Sequence, residues 1–213
     1  MSWCGAAGAP SYGQRNRPFT VPSGTMLSVI VPTNESERVL VRTLACLVPG
    51  ATAGLIRDLL LADAGSKDET EQIADIAGCR FVAVPGPLGP RLSAAVAEVR
   101  GDWLLFLKPG AELDPGWVGE VTHYIERAPA DMAAVFIPEQ TPKGQGSLWS
   151  DLLEVFRARQ SVLKPGRGLL ISRSLYRQLG GHRDVADPEA DLLARIGKAR
   201  ISGLRSAISF REP

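Results

Sequence analysis

The chain lacks the features of membrane-spanning, disulfide-rich and zinc-binding proteins. No window approaches the run of about 18 apolar residues that a membrane-spanning helix requires, and the first residues lack the basic-then-apolar layout of a signal peptide. The three cysteines, Cys4, Cys46 and Cys79, are an odd number at wide spacing, which fits neither a disulfide framework nor a zinc site. We therefore expect a cytoplasmic protein with reduced thiols, Cys46 and Cys79 lying in the core.

Two functional classes are also disfavoured by what is missing. No G-x-G-x-x-G motif follows the first predicted strand, so a dinucleotide-dependent oxidoreductase is a poor interpretation. Aromatic residues make up only 6% of the chain, and no basic patch is interleaved with them. We therefore expect no nucleic-acid partner.

Charge is distributed unevenly along the chain. Residues 1–156 carry 12 Lys and Arg against 18 Asp and Glu, whereas residues 157–213 carry 12 against 5. The net charge of +1 thus hides a basic C-terminal quarter, which favours a phosphate-bearing ligand or an anionic membrane surface. A solvated basic face explains the charge equally well.

Apolar patterns typical of strands alternate with patterns typical of helices. We expect strands at 27–31, 59–62, 80–84, 103–107, 133–137 and 168–172, and helices at 36–48, 66–78, 89–99, 115–127, 147–163, 173–179 and 188–196. Such alternation predicts an α/β fold with right-handed βαβ units and a mainly parallel central sheet. Residues 1–25 are rich in Gly, Pro, Ser and Ala and lack periodicity, so we expect a disordered leader before a single domain over 26–213.

Three local signals predict where helices begin and end. Pro49-Gly50 should stop the first helix. Ser66 and Glu69 have the spacing of a capping box at the start of the second helix, and Gly78 should end it. Asp114-Pro115 should cap the helix over 115–127.

The ends of three predicted strands carry the residues most relevant to function. In parallel sheets ligands bind outside the carboxyl ends of the strands. The segments directly after those ends are Thr33-Asn34-Glu35, Asp63 to Ser66, and Lys108-Pro109-Gly110. We expect them to line one crevice.

Taken together, four segments resemble family 2 glycosyltransferases of the GT-A fold, a Rossmann-like fold for nucleotide-diphosphate sugars. They are "SVIVPTNESERVLVRTLACL", "LLLADAGSKDET", "GDWLLFLKPGAELDPGW" and "LISRSLYRQLGGHRDV". They follow the family's order over about residues 27–205. The resemblance implies a transferase of hexosyltransferase type.

The resemblance also implies roles for residues near the nucleotide. It places Thr33, Glu35 and Asp63 at the nucleoside of a nucleotide-diphosphate sugar, with uridine the expected base. Asp63 would accept hydrogen bonds from a uracil N–H or a ribose hydroxyl; alternatively, Asp63 and Ser66 only cap the turn and the helix. Arg91 lies where the family often has a residue near the base or phosphates; the alternative is a surface arginine.

The metal motif of the family is degenerate in this chain. The resemblance implies Mn²⁺ or Mg²⁺, but the usual aspartate falls at Gly110, with Lys108 two residues earlier. Neither side chain supplies an oxygen ligand. Glu112 is the nearest acid, two positions further on.

These departures allow two hypotheses. In the first, Lys108 with Lys164 or Arg167 neutralises a diphosphate without a divalent ion. In the second, the domain is catalytically inactive and binds a nucleotide or a protein partner. The gain of a lysine favours the first hypothesis.

The acceptor side also departs from the family pattern. The family's Glu-Asp pair, which supplies the acceptor base, falls around Pro188-Glu189, so Glu189 or Asp191 would act as the base. His182 stands where an aromatic residue is usual.

The overall expectation is transfer of a sugar from a nucleotide-diphosphate sugar to a cell-envelope or lipid-linked acceptor. The helix over 147–163 and the basic C-terminal quarter would give peripheral contact with the inner face of the membrane. An ordinary core helix is the alternative for 147–163.

Overall fold

The computed structural model describes residues 26–138 and 164–210 as three layers built on one sheet. The strands are β1 (Leu27–Thr33), β2 (Ile56–Asp63), β3 (Arg80–Ala83), β4 (Trp103–Phe106), β5 (Ala111–Leu113), β6 (Ala133–Pro138), β7 (Leu169–Ser172) and β8 (Ile201–Phe210). The helices are α1 (Glu37–Thr52), α2 (Thr70–Ile76), α3 (Leu88–Glu98), α4 (Trp117–Arg127), α5 (Arg173–Gln178) and α6 (Pro188–Ile196), followed by a 3₁₀ turn, Lys198–Arg200.

The sheet has the strand order β3-β2-β1-β4-β7-β6-β8-β5. The first four strands in that order are parallel to one another. β7 is antiparallel to both of its neighbours, β6 and β8 are parallel, and β5 is antiparallel to β8. This arrangement confirms the predicted α/β fold, and the carboxyl ends of β1, β2 and β4 lie at one edge.

The strands bury both faces of the sheet. Alternate residues point to opposite faces, so Val29, Val31 and Leu105 pack under α1, α2 and α4, whereas Ile30 and Phe106 pack under α3, α5 and α6. Burial on both sides explains the nearly continuous apolar runs in the parallel strands. All six predicted strands are present.

The predicted end of the first helix at Pro49-Gly50 is wrong. α1 continues through both residues to Thr52. A Cβ at Gly50 would lie 2.5 Å from Cη2 of Trp117, so glycine allows α1 to approach α4 closely. The free energy gained from this packing outweighs the loss of the one backbone hydrogen bond that Pro49 cannot donate. Gly54, with φ of +75°, lies just beyond the end of the helix.

The predicted capping box of α2 is also wrong. α2 begins at Thr70, and its N-cap Glu69 makes no capping side-chain bond. Ser66 instead donates its hydroxyl to Asp63, because the aspartate at the end of β2 competes for it. Gly78 does follow the helix with a left-handed φ of +68°, as expected for a helix stop.

The remaining predictions concern the leader, the helix over 147–163, membrane-spanning helices and the two core cysteines. The leader over 1–25 and the helix over 147–163 lie outside the described residues. Within 26–138 and 164–210, no helix combines the length and apolar character needed to cross a bilayer. Cys46 and Cys79 are free thiols that lie half-buried against the core, where burial raises the pKa of both.

Candidate active site

Asp63, the last residue of β2, is held by four hydrogen bonds. Its Oδ1 accepts from the backbone N–H of Gly65 at 2.7 Å and of Ser66 at 2.6 Å. Its Oδ2 accepts from Thr33 Oγ1 and from Ser66 Oγ, each at 2.7 Å. A carboxylate offers about four acceptor positions, so this one is saturated.

The surroundings of Asp63 keep it ionised and closed to solvent. Burial alone raises its pKa, but the hydrogen bonds from Ser66, Thr33 and Gly65 outweigh burial and hold the pKa below the ordinary value. Asp63 and Thr33 have no exposed surface. Direct contact with a nucleotide therefore requires displacement of one of the four donors, and that contact stays a prediction.

The loops after β1 and β2 are joined by reciprocal bonds. Glu35 donates its backbone N–H to Ser66 Oγ at 2.8 Å, and its Oε1 accepts from the backbone of Lys67 at 2.9 Å. Ser36 donates its backbone N–H to Thr70 Oγ1 at 3.0 Å. Glu35 has a φ of 48°, a left-handed conformation that is uncommon outside glycine. Such strain persists where the surroundings enforce it and is frequent at functional sites.

Arg91 is buried in the first turn of α3, which rules out the surface arginine that was the alternative. Only 7% of the surface of Arg91 is exposed to solvent. Burial lowers the pKa of its guanidinium, and the charge of Asp63 opposes that shift. Nε and Nη1 have no hydrogen-bond partner among the described residues. A buried cation with unused donors is suited to an anionic ligand.

Lys108 pairs with Glu189 at the mouth of a small cavity. Its Nζ lies 3.2 Å from Glu189 Oε2. A Cβ at Gly166 would lie 3.2 Å from the same Nζ, so the ammonium rests against the loop before β7. This contact joins the end of β4 to α6, the two segments for which the resemblance implied donor and acceptor roles.

The cavity is lined by the three cationic residues to which the sequence assigns phosphate binding, Lys108, Lys164 and Arg167. Its lining residues are Phe106, Lys108, Val135, Lys164, Pro165, Gly166, Arg167, Gly168, Leu169, His182, Glu189 and Leu193. Burial lowers the pKa of Arg167. The cavity volume is about 20 Å³, which is room for about one water molecule. Thr33 and Asp63 are not part of its lining, so the single crevice expected from the sequence stays a prediction.

Of the two candidate bases, the structure brings Glu189 into the cavity. Its side chain is 17% exposed. Asp191 instead accepts from Arg195, at 2.8 Å from Nε and 2.6 Å from Nη2. Arg195 also donates to the backbone oxygens of Leu179 and Gly181, so the Asp191–Arg195 pair anchors the turn before His182.

The described residues near Lys108 and Gly110 do not offer the oxygen ligands of the divalent ion that the resemblance implies. Glu112 Oε1 lies 3.9 Å from Arg42 on α1, whereas Lys108 faces α6 on the other side of the sheet. Residues 26–138 and 164–210 contain no group of three or more His, Cys, Asp or Glu side chains placed to hold a metal.

The sequence did not assign a role to the network around His182. Tyr176 Oη lies 3.0 Å from His182 Nδ1 and accepts from the His182 backbone N–H at 3.1 Å. Ser93 donates to the His182 carbonyl at 2.8 Å. The signal was the histidine at a position where the family has an aromatic residue, but its partner Ser93 is distant in sequence.

Comparison with solved structures identifies the fold. Glucosyl-3-phosphoglycerate synthase from Mycobacterium tuberculosis, in complex with Mn²⁺, uridine diphosphate and glucosyl-3-phosphoglycerate, matches with a TM-score of 0.66 and 20% identity over 98% of this chain and 79% of that chain. The same enzyme with phosphoglyceric acid matches with a TM-score of 0.67 and 20% identity over 97% and 79% of the two chains. Its complex with Mn²⁺, UDP-glucose and phosphoglyceric acid gives 0.64 and 21%, over 89% and 73%. The fold is therefore of GT-A type.

Sequence comparison gives the family. No curated protein matches the chain in sequence. The family model described as "Glycosyl transferase family 2" matches residues 28–177, which is more than half of the chain. The protein therefore belongs to glycosyl transferase family 2.

Proposed function

We propose that this protein transfers a sugar, as a hexosyltransferase, from a uridine-type nucleotide-diphosphate sugar to a hydroxyl of an acceptor. Membership of glycosyl transferase family 2 supports the reaction class. Structures of similar fold contain uridine diphosphate or UDP-glucose, and an acceptor such as phosphoglyceric acid. The observation in this chain that carries the proposal is the Lys108–Glu189 contact at the cavity mouth.

The nucleoside would lie against the joined loops after β1 and β2. Glu35 is exposed at the surface of those loops, whereas Thr33 and Asp63 hold them from below. Arg91 lies close enough to Asp63 for the carboxylate charge to raise the pKa of the guanidinium, against the effect of burial. Its Nε and Nη1, which have no partner within the described part of the chain, would contact a ribose or phosphate oxygen. Asp63 contributes by fixing the loop, and directly only if a ligand displaces one of its donors.

The diphosphate would be neutralised by Lys108 together with Lys164 or Arg167. At an effective dielectric of about 20, a lysine–phosphate contact is worth about 4 kcal/mol before desolvation. Fixed cations stabilise the charge that develops on the leaving group, as a metal does, although with less control of geometry. Phosphate binding in this proposal needs no divalent ion.

Glu189 would accept the proton of the acceptor hydroxyl. Its pairing with Lys108 couples this step to donor binding, because a diphosphate carries more negative charge than one carboxylate and competes for the same ammonium. Donor binding would then draw Lys108 toward the phosphates and release Glu189 to act as the base. The donor would therefore bind before the acceptor.

For the acceptor, we keep the proposal made from the sequence. The sugar would be transferred to a cell-envelope or lipid-linked compound at the cytoplasmic face of the membrane. The basic residues of the C-terminal quarter support it, since an anionic surface or a phosphorylated acceptor would be attracted to them. The two are separated by comparing anionic vesicles with soluble phosphorylated hydroxyl compounds as acceptors.

Calorimetry with uridine diphosphate and uridine tests the donor site. We expect the diphosphate to bind more tightly than the nucleoside, with the same affinity in EDTA and in Mn²⁺. A large gain in Mn²⁺ would mean that an acid such as Glu112 rebuilds a metal site, and the role of Lys108 would be wrong. Binding of uridine diphosphate without turnover of any sugar donor would favour the inactive GT-A domain. Failure of both uridine diphosphate and uridine to bind would contradict the proposed donor.

A further inference from the structure

The imidazole of His182 is buried beside the two groups that the proposed reaction uses. The residue is 4% exposed, and it lines the same cavity as Lys108 and Glu189. Its ring packs edge-to-face on Phe106, with centroids 4.8 Å apart, and lies 5.5 Å from the ring of Tyr176. Nε2 has no hydrogen-bond partner within residues 26–138 and 164–210, although burial of an unpaired polar atom is costly.

The hydrogen-bond network indicates which nitrogen carries the proton. The hydroxyl proton of Ser93 goes to the His182 carbonyl, 2.8 Å away. The Tyr176 hydroxyl already accepts from the His182 backbone N–H at 3.1 Å, and it must place its own proton on a neighbour. His182 Nδ1 at 3.0 Å is closer to Tyr176 Oη than Ser93 Oγ at 3.5 Å. Nδ1 is therefore the acceptor, and the proton of the neutral ring is on Nε2.

The ring stays uncharged under physiological conditions. Burial, with the charge of Arg195 as a smaller cause, lowers the pKa of His182 to about 4, and Asp191 opposes that shift. A second observation points to a ligand in the same place: Glu189 Oε2 is also buried without a hydrogen-bond partner among the described residues, apart from its ionic contact with Lys108. The cavity thus contains one neutral donor and one anionic acceptor, which suits a hydroxyl group.

We infer that His182 binds the acceptor hydroxyl, its Nε2–H donating to the hydroxyl oxygen while Glu189 accepts the hydroxyl proton. This inference rests on the proposed function. In the transfer step the O–H bond breaks and its proton moves to the Glu189 carboxylate, and the oxygen forms a bond to the anomeric carbon of the nucleotide-diphosphate sugar. The bond from that carbon to the diphosphate breaks, and its electron pair leaves with the diphosphate, beside Lys108. A phenylalanine at this position would fill the same space but could not orient the oxygen.

Nuclear magnetic resonance of ¹⁵N-histidine-labelled protein tests the inference without a known acceptor. The chain contains two histidines, and exposed His123 on α4 serves as the internal reference. With uridine diphosphate present, we expect His182 to be protonated at Nε2, and glycerol, used as a hydroxyl probe, to shift the His182 signal but not that of His123. Protonation at Nδ1, or no glycerol-dependent shift of His182, would overturn the inference.

Two variants extend the test to turnover. With UDP-glucose as donor and glycerol as acceptor, His182→Phe should raise the KM for glycerol about fivefold, the value of one neutral hydrogen bond, and leave the calorimetric affinity for uridine diphosphate unchanged. His123→Phe should change neither quantity. An unchanged glycerol KM in His182→Phe would overturn the inference. If the wild type does not bind uridine diphosphate, the proposed function is contradicted instead. The ¹⁵N result then decides the role of His182.

Discussion

The loops after β1 and β2 differ from the cavity between β4 and α6 in how their polar groups are satisfied. In the loops, Asp63 accepts four internal hydrogen bonds. In the cavity, His182 Nε2 is buried without a hydrogen-bond partner in the part of the chain that the structure describes, and buried Glu189 Oε2 makes an ionic contact with Lys108 but no hydrogen bond there. A saturated network forms a rigid support, whereas buried unused groups require an explanation such as a ligand. The loops therefore form the rigid support, and the cavity holds the groups to which the proposal assigns the chemistry.

Arg91 lies between these two cases. It belongs to the helix that follows β3, close to the saturated Asp63, yet two of its nitrogens have no hydrogen-bond partner among the described residues. The loop side therefore also contains one group that is available to a ligand. Its burial rules out the surface arginine, one of the two interpretations that the sequence left open.

The largest expected effect is on turnover, in Glu189→Gln. Loss of a general base typically lowers kcat about 10²- to 10⁴-fold, while uridine diphosphate should bind at least as tightly because Lys108 loses its carboxylate partner. UDP release from a nucleotide-sugar donor and calorimetry measure the two effects. Asp191→Asn is the matched control on the same helix, and a larger loss of turnover in that variant would transfer the role of base to Asp191.

Asp63→Ala should have the next largest effect, on stability. It leaves buried donors of Thr33 and Ser66 unpaired, at about 1–3 kcal/mol each, so the free energy of unfolding should fall by about 3 kcal/mol or more. Urea denaturation measures this loss. A loss below about 1 kcal/mol would contradict the supporting role of the saturated network.

The same carboxylate should make stability depend on pH. Because the pKa of Asp63 is lower in the folded protein, its stabilisation is present above the unfolded value of about 3.9 and is lost as pH falls through the folded pKa. Denaturation at several acidic pH values should give a smaller acid-induced loss in Asp63→Asn than in the wild type. Equal slopes in the two proteins would show that other carboxylates dominate.

Arg91→Met should weaken uridine diphosphate binding by about ten- to a hundredfold, since it removes charged hydrogen bonds worth about 1.5–3 kcal/mol. Methionine keeps much of the apolar stem, so stability should change little. Calorimetry on this variant is compared with Arg100→Met, an exposed position just beyond α3. Equal affinities in the two variants would return Arg91 to a purely structural role.

A smaller effect on uridine diphosphate binding than that of Arg91→Met is expected in Lys108→Ala. Because the Lys108 side chain is 43% exposed and its charge is screened by salt, binding of uridine diphosphate should weaken about tenfold, with a shallower salt dependence. Uridine should bind as it does to the wild type. Exposed Lys198→Ala is the control, and an equal loss for uridine and its diphosphate would argue against phosphate contact by Lys108.

Several features of the site could be predicted from the sequence, because they depend on strand ends. A parallel sheet brings those ends to one edge whatever the details of packing, so Thr33, Asp63 and Lys108 were found as residues that directly follow or end strands. Helix ends were less predictable. Pro49-Gly50 lies inside α1 because Trp117 of a distant helix packs against Gly50, and tertiary packing of this kind outweighs local preference.

By itself the sequence predicted six of the eight described strands, the helices between them, the family and the unusual residues at its motifs. Those properties follow from apolar periodicity and from residues close together in the chain. Only the tertiary structure decided that Asp63 is saturated, that Glu189 rather than Asp191 contacts Lys108, and that one nitrogen of His182 has no partner in the described ranges. Each of these outcomes depends on which distant donor or acceptor lies within about 3 Å of an atom, and that proximity is a property of the folded chain.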